Sequence, residues 1–99
     1  MDLEINEEIS DDKIKINLKG KLDTSTYISL EDELKDIDMY KDITFDFLNL
    51  NYISSVGLRI LLRAYKNTLV NGGKLMVINF NETIKTIFEE TGFLELLEN

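Results

Sequence analysis

The sequence Tyr52-Ile53-Ser54-Ser55-Val56-Gly57-Leu58-Arg59 connects two apolar segments of the chain. The preceding segment, residues 43–48, reads Ile-Thr-Phe-Asp-Phe-Leu and favours a β-strand. The following segment, residues 55–70, is rich in apolar residues at helical spacing and predicts a helix that is largely buried. The eight residues are therefore predicted to form a turn from a strand into a helix.

Two adjacent serines lie where this helix is predicted to begin. A serine hydroxyl at the N-cap accepts a hydrogen bond from a free N–H of the first turn, so we expect Ser54 to cap the helix. The alternative for Ser54 is a modification site. Ser55 then lies in the first turn, where the helix dipole and outward N–H groups stabilise negative charge. A phosphate on Ser55 would be accommodated there, which makes Ser55 the candidate switch residue.

The composition fits one small domain and excludes several classes of function. The 99 residues include no cysteine and no histidine, so disulfides, thiolate metal sites, Ser–His–Asp catalysis and histidine phosphotransfer are excluded within this chain. The net charge of −8 argues against nucleic acid or an anionic membrane as the main partner. The start does not resemble a signal peptide, and no apolar run approaches the ~20 residues of a membrane helix. We therefore expect a soluble cytoplasmic protein.

The periodicity along the chain predicts an α/β domain with the element order β-β-α-β-α-β-α. The predicted elements are a hairpin with strands near 3–9 and 14–18, a helix near 25–38, the strand 43–48, the helix 55–70, a strand at 74–79, a short helix ending at Glu90 and a last apolar turn. Because βαβ crossovers are right-handed, the helices are expected to pack on a mixed sheet of four to five strands.

The helix at 55–70 carries a basic arc that is unusual in an acidic protein. Arg59, Arg63 and Lys66 lie at positions i, i+4 and i+7 and share a face, and Ser55 precedes Arg59 by one turn. One interpretation is a solvated polar face. The other is that the arc contacts an acidic partner, or that Arg59 pairs with a phosphate on Ser55. The sequence leaves these alternatives open.

Four segments together resemble the STAS domains of bacterial anti-sigma factor antagonists, over almost the whole chain. They are Gly20-Lys21-Leu22-Asp23, Tyr52-Ile53-Ser54-Ser55-Val56-Gly57-Leu58-Arg59-Ile60-Leu61-Leu62, Gly72-Gly73-Lys74-Leu75 and Thr91-Gly92-Phe93. The serine turn with its following Gly-Leu is the most specific of them. The resemblance implies a single STAS domain over residues 1–99.

The resemblance also implies a regulatory mechanism. In this family, an anti-sigma factor that is also a serine kinase phosphorylates the antagonist two residues before the turn glycine, which corresponds to Ser55. The unphosphorylated antagonist binds the kinase and frees the sigma factor, so transcription is regulated by partner switching. Phosphorylation breaks the complex, and a serine phosphatase reverses it. The implied partners are this kinase and this phosphatase, with no cofactor, metal, membrane or direct nucleic-acid contact.

The residues expected to contact the partner surround Ser55. The family's aspartate beside the phosphorylated serine corresponds to Asp23, which is a turn residue, a wall of the phosphorylation site, or both. Better-known members have aspartate in place of Ser54, and serine or threonine is common in place of Val56. The predicted partner-binding residues are Asp23, Thr24, Ser54, Val56, Gly57, Leu58 and Arg59.

Two functions of other classes compete with the switch. A STAS domain also serves as an adaptor that binds a transporter or a signalling assembly without phosphorylation. An enzyme is the second alternative, but the chain has no GxxxxGK[ST] phosphate loop and no GxGxxG fingerprint. Its acidic residues form no carboxylate pair that spacing distinguishes from surface charge. We therefore expect a kinase substrate without catalytic residues of its own.

Overall fold

A computed structural model describes residues 3–98 of the chain. Within these residues, four strands form one sheet in the order β1-β2-β3-β4. The strands are β1 (Leu3–Ser10), β2 (Lys13–Leu22), β3 (Asp42–Ile53) and β4 (Leu75–Ile78). The helices are α1 (Tyr27–Glu33), α2 (Ser55–Val70), α3 (Glu82–Thr91) and α4 (Phe93–Glu98), with a 3₁₀ turn at Ile37–Met39. The predicted α/β fold and element order are confirmed, and the sheet has four strands.

The strand pairing brings two loop regions together at the end of the sheet where β2 and β3 terminate. β1 pairs antiparallel with β2, whereas the pairs β2–β3 and β3–β4 are parallel. The crossovers through α1 and α2 make these pairs parallel, so the carboxyl ends of neighbouring strands lie side by side. Leu22 at the end of β2 pairs with Ile53 at the end of β3. The loop after β2 therefore lies beside the serine turn.

The helices cover one face of the sheet and leave the other open. Alternate residues of β3 are buried under the helices, among them Phe45 and Phe47, whose rings lie 6.0 Å apart. Phe88 of α3 packs on Phe47 with 6.4 Å between ring centroids, which joins the helix layer to the sheet. This alternation of buried and exposed positions is the period-two pattern of a sheet with one face on the core.

The open face of the sheet carries a cluster of polar side chains that pair with one another. Lys15 Nζ lies 3.6 Å from a carboxylate oxygen of Asp46, and Asn79 donates a hydrogen bond to the same carboxylate at 3.1 Å. Burial raises the pKa of Asp46, but the hydrogen bonds from the Leu48 amide and Asn79, together with Lys15, outweigh it and hold that pKa below its ordinary value. The carboxylate is therefore ionised at neutral pH. It connects Lys15 of β2 with Asn79, which directly follows β4.

β3 is longer than predicted, because two bulges interrupt its alternation. Between the pairs Asn17–Asp46 and Lys19–Asn49, β2 advances by two residues and β3 by three. A second irregularity follows between Gly20 and Lys21 of β2. Each extra residue shifts the side-chain pattern, so the regular alternation ends at Leu48 although the strand continues to Ile53.

α1 is shorter than the predicted helix at 25–38. It ends at Glu33, and the 3₁₀ turn at Ile37–Met39 follows it. The amide of Ile37 donates to the carbonyl of Leu34 at 3.0 Å, which is the tighter three-residue pattern. Leu34 and Ile37 are both buried, since the tighter turn preserves their common apolar face while ending the regular helix.

Candidate functional site

The serine turn is held by backbone hydrogen bonds on both sides of Ser54. Its amide donates to the carbonyl of Leu22 at 2.9 Å, and its carbonyl accepts from the amide of Leu58 at 3.0 Å. The first bond extends the pairing of β2 with β3, and the second is the first bond of α2. Ser55 is the first residue of α2, as predicted. The strand end and the helix start are thereby fixed to each other within one residue.

The prediction that the Ser54 hydroxyl caps α2 is wrong. Ser54 occupies the N-cap position with extended backbone (φ −95°, ψ 176°), but its side chain makes no cap hydrogen bond. Its Oγ is buried and has no hydrogen-bond partner among the described residues. The pairing of Ser54 with Leu22 fixes the backbone here, and the hydroxyl is enclosed without reaching the first-turn N–H groups. A buried hydroxyl without a partner costs about 1–3 kcal/mol.

Replacing Ser54 with alanine is therefore expected to leave stability unchanged or to raise it slightly. Loss of a serine cap ordinarily costs about 0.5–2 kcal/mol. The comparison is Asn81→Ala at the start of α3, where Asn81 Oδ1 accepts a 2.8 Å hydrogen bond from the amide of Ile84 and Nδ2 also donates to the carbonyls of Leu50 and Asn51. We expect Asn81→Ala to cost about 1–2 kcal/mol in urea unfolding followed by circular dichroism. An equal loss in the two variants would contradict the unpaired hydroxyl.

Ser55 differs from Ser54 in accessibility. Its side chain is exposed on the first turn of α2, whereas the Ser54 hydroxyl is enclosed. The first-turn N–H groups of a helix have no acceptor within the helix and point outward along the axis. Negative charge on Ser55 would therefore meet free donors and the positive end of the helix dipole without rearrangement of the backbone.

Gly57, predicted as a partner-contact residue, is buried in the first turn of α2, where it allows the helix to approach the sheet closely. A β-carbon at this position would lie 2.7 Å from Cγ1 of Ile53 and 2.8 Å from Cγ of Leu22. Both side chains are fully buried, so neither has room to withdraw. The contact joins the ends of β2 and β3 to the first turn of α2, and this sets the position from which Ser55 projects.

Gly57→Ala is expected to destabilise the protein by about 1–3 kcal/mol, although alanine is the better helix former. Lys66→Ala on the exposed side of α2 is the control and should change the free energy of unfolding by less than about 0.5 kcal/mol. The clash also predicts coupling, so Gly57→Ala should cost less in a Leu22→Ala background than in the wild type. Additive effects in urea unfolding would show that the contact with Leu22 is not the cause, and the clash would then be assigned to Ile53 alone.

Asp23 lies in the loop after β2 as an organised turn residue. The hydroxyl and the amide of Ser25 donate to Asp23 Oδ1 at 2.7 and 2.9 Å. These bonds, first the hydroxyl and then the amide, lower the pKa of the Asp23 carboxyl from its ordinary value and keep it ionised at neutral pH. Leu22, the residue just before Asp23, provides the carbonyl that accepts the hydrogen bond from the Ser54 amide. The turn role of Asp23 is confirmed; its role beside a phosphate stays a prediction.

The other predicted contact residues spread from this turn in different directions. Thr24 is exposed in the loop after β2, and Val56 is half-buried in the first turn of α2. Leu58 is half-buried and packs against the core, and it also lines an open groove together with Ser55 and Arg59. The structure thus brings Ser55, Leu58 and Arg59 to one surface.

The sequence analysis missed the opposite wall of this groove. The wall comes from the junction of α3 and α4, and its residues are Thr91, Gly92, Phe93 and Leu96. Gly92 ends α3 with φ 78°, and this left-handed residue turns the chain so that α4 begins at once. Thr91-Gly92-Phe93 is part of the resemblance, and this segment could have indicated that the junction lies near the serine turn.

Two basic residues of the α2 arc, Arg59 and Arg63, have different neighbours. Arg63 lies 3.7 Å from a carboxylate oxygen of Glu31 on α1, and both side chains are partly exposed. Such a surface ion pair contributes about 0–1 kcal/mol. Arg59 lines the groove together with Ser55. Arg59 is therefore the basic residue that accompanies Ser55, and a contact of the arc with an acidic partner stays a prediction.

Two further observations concern metal binding and membrane crossing in residues 3–98. No group of three or more acidic side chains in this range is arranged to hold a metal ion. None of the helices in the same range is both long and apolar enough to span a lipid bilayer.

Comparisons with known proteins give the family to which this fold and turn belong. The sequence model of the STAS domain matches residues 1–99, and the chain therefore belongs to the STAS domain family. The anti-sigma-B factor antagonist of Staphylococcus aureus (strain NCTC 8325 / PS 47) is 28% identical over 98% of this chain and 92% of its own length. The predicted family is confirmed.

Solved structures agree with the fold. An anti-sigma factor antagonist from Mycobacterium paratuberculosis superposes with a TM-score of 0.82 at 21% identity, over 94% of this chain and 80% of that one. The Bacillus cell fate determinant SpoIIAA in its phosphorylated form gives a TM-score of 0.76 at 18% identity, over 94% and 87%. The identities are low, so these likenesses concern the fold.

Proposed function

We propose that this chain is a cytoplasmic anti-sigma factor antagonist whose binding is switched by phosphorylation of Ser55. Unphosphorylated, it binds an anti-sigma factor with serine kinase activity and frees a sigma factor for transcription. Phosphorylated by that kinase, it is released, and a serine phosphatase restores it. Residues 1–99 act as one STAS domain, which is a substrate in this cycle and has no catalytic role. The name of the Staphylococcus relative supports the antagonist role.

The observation that carries the proposal is the contrast between the two serines. The hydroxyl of Ser55 is exposed on the first turn of a well-anchored helix, where a kinase active site can reach it. The hydroxyl of Ser54 is buried behind it. Of the two neighbouring serines, geometry therefore supports Ser55 as the phosphate acceptor, in agreement with the position that the family resemblance implies.

The effect of the phosphate falls on the interface. A phosphoserine carries about −1.5 to −2 charges at neutral pH. Inside the antagonist, the first-turn N–H groups of α2 and Arg59 stabilise this charge, so the fold need not change. At a docked interface the same hydrated dianion would have to be buried against the partner, which costs several kcal/mol unless the partner compensates it. Release then follows from charge and bulk at one side chain.

The test is to incubate the purified protein with ATP and a serine-kinase anti-sigma factor from the bacterium that encodes it, and to map the phosphate by mass spectrometry. We expect one phosphate on Ser55, its loss in Ser55→Ala and its retention in Ser54→Ala. A phosphate on Ser54 would overturn the assignment of the acceptor. Binding to the kinase without phosphorylation of either serine would instead favour the adaptor function.

A further inference from the structure

An open groove of about 390 Å³ begins at Ser55 and runs between α2 and the junction of α3 with α4. Its walls are mostly apolar. Leu58, Leu62 and Leu96 are half-buried, and Phe93 closes the floor with 5% of its surface exposed. Phe93 packs on Phe88 of α3 with 5.1 Å between ring centroids, which makes the floor part of the core and therefore rigid.

The charge in this groove is opposite to that of the molecule. The chain has a net charge of −8, but among the side chains that the structure describes, the groove is lined by one cation, Arg59, and by no acidic residue. Arg59 forms no salt bridge with any side chain described in residues 3–98, whereas Arg63, one turn later, is paired with Glu31. The groove thus presents apolar surface beside an unpaired guanidinium, which suits a carboxylate flanked by apolar side chains.

We propose that this groove binds an amphipathic segment of the anti-sigma factor, with its apolar side chains between α2 and α4 and one carboxylate paired with Arg59. This inference rests on the proposed function and adds the chemistry of the partner's contact. Apolar residues at helical spacing on such a segment would meet Leu58 and Leu62, which lie one turn apart on α2. The remainder of the partner faces an acidic molecule, so positive charge flanking the segment favours association.

The position of Ser55 at the end of the groove gives the phosphate a second effect. Ser55 and Arg59 are four residues apart on α2, so their β-carbons are about 5–6 Å from each other. A phosphate on Ser55 pairs with the Arg59 guanidinium, which is then no longer available to the partner's carboxylate. Phosphorylation therefore withdraws the favourable contact as well as introducing a repulsive one.

The test measures the affinity of the serine-kinase anti-sigma factor for groove variants by isothermal titration calorimetry. Leu62→Ser and Arg59→Gln are each expected to weaken binding about 10-fold or more. The matched controls are Leu69→Ser, an exposed leucine near the other end of α2, and Arg63→Gln, which removes the cation that pairs with Glu31 and does not line the groove. The controls should bind within about 2-fold of the wild type. Circular dichroism and urea unfolding of each variant verify that the fold is retained.

The outcomes separate the groove from the switch. If the wild type is phosphorylated on Ser55 and released while Leu62→Ser and Arg59→Gln bind as tightly as the controls, the groove proposal fails and the proposed function stands. If the wild type does not bind the kinase, the proposed function fails and the groove proposal falls with it. Loss of a self-associated form in Leu62→Ser, with unchanged kinase binding, would identify a second copy as the occupant and overturn the proposal.

A photo-crosslinking amino acid at position 96, on the opposite wall, tests the occupant independently of affinity. The expected product is a crosslink to a kinase peptide that contains apolar residues at helical spacing and at least one aspartate or glutamate. The same amino acid at position 69 should give no such crosslink. A crosslinked peptide without an acidic residue, or crosslinks only from position 69, would contradict the proposed occupant.

Discussion

Ser55→Asp is expected to weaken binding to the kinase about 100-fold or more and to leave the fold intact. The aspartate places a fixed negative charge on the first turn of α2, where the helix dipole stabilises it by about 0.3–1 kcal/mol in the free protein. In the complex the same charge is desolvated against the partner, and an uncompensated buried charge costs several kcal/mol. A loss of 100-fold corresponds to about 2.7 kcal/mol. The measurement is the dissociation constant by calorimetry, with the unfolding free energy by urea titration.

The matched control for this variant is Leu69→Asp. Leu69 is exposed on the same helix, about 20 Å from Ser55 along the helix axis, so the variant adds the same charge outside the expected contact. It should bind the kinase within about 3-fold of the wild type, a difference that reflects net charge alone. If both variants lose affinity equally, overall charge is responsible and the location of Ser55 is not. If neither does, phosphorylation does not act through charge at this turn.

Gly73→Ala is expected to cause the largest loss of stability, about 3 kcal/mol or more. A β-carbon at Gly73 would lie 1.8 Å from the carbonyl oxygen of Lys41 and 2.5 Å from its carbon. The backbone of Lys41 cannot easily withdraw, because its amide donates to the carbonyl of Asp12 at 2.7 Å. On the other side, the Lys74 amide donates to Asp42 Oδ1 at 3.1 Å. A clash between backbone segments tied at both ends exceeds ordinary overpacking.

The neighbouring glycine provides the control. A β-carbon on Gly72 would have no atom within 4 Å, but the residue has φ +73°, which side chains disfavour. Gly72→Ala should therefore cost only about 1–2 kcal/mol. Urea unfolding compares the two variants, with the slope of the transition used to verify that the same structure unfolds. A smaller cost for Gly73→Ala than for Gly72→Ala would contradict the close approach at Lys41.

Elements with strong periodicity could be predicted from the sequence. The run of apolar residues from Val56 to Leu69 is long enough to define α2, and its bounds of 55 and 70 agree with the structure. Where tertiary pairing overrides the local pattern, the prediction failed. β3 continues past Leu48 because its partner β2 holds it through two bulges, and no residue in Asn49–Asn51 signals that pairing.

The candidate site was predictable in part for the same reason. Local turn chemistry placed Ser55 at a helix start, whereas the close contact of Gly57 with Leu22 involves a strand distant in sequence. The lack of a hydrogen-bond partner for the Ser54 hydroxyl depends on the pairing of the Ser54 backbone with Leu22, which lies on a different strand. The wall formed by Phe93 and Leu96 comes from the far end of the chain. The local periodicity of a sequence does not predict contacts between segments that are so far apart in the chain.

The most direct test of the switch compares the unphosphorylated protein with protein carrying one phosphate on Ser55. The measurement is the dissociation constant for the kinase, made with amide NMR spectra of both forms and repeated after removal of the phosphate by a serine phosphatase. We predict that the phosphate weakens binding about 100-fold or more, that its removal restores the original affinity, and that spectral changes are confined to residues near the start of α2. Equal affinity of the two forms, or a loss of binding that accompanies changes throughout the sheet, would contradict the account.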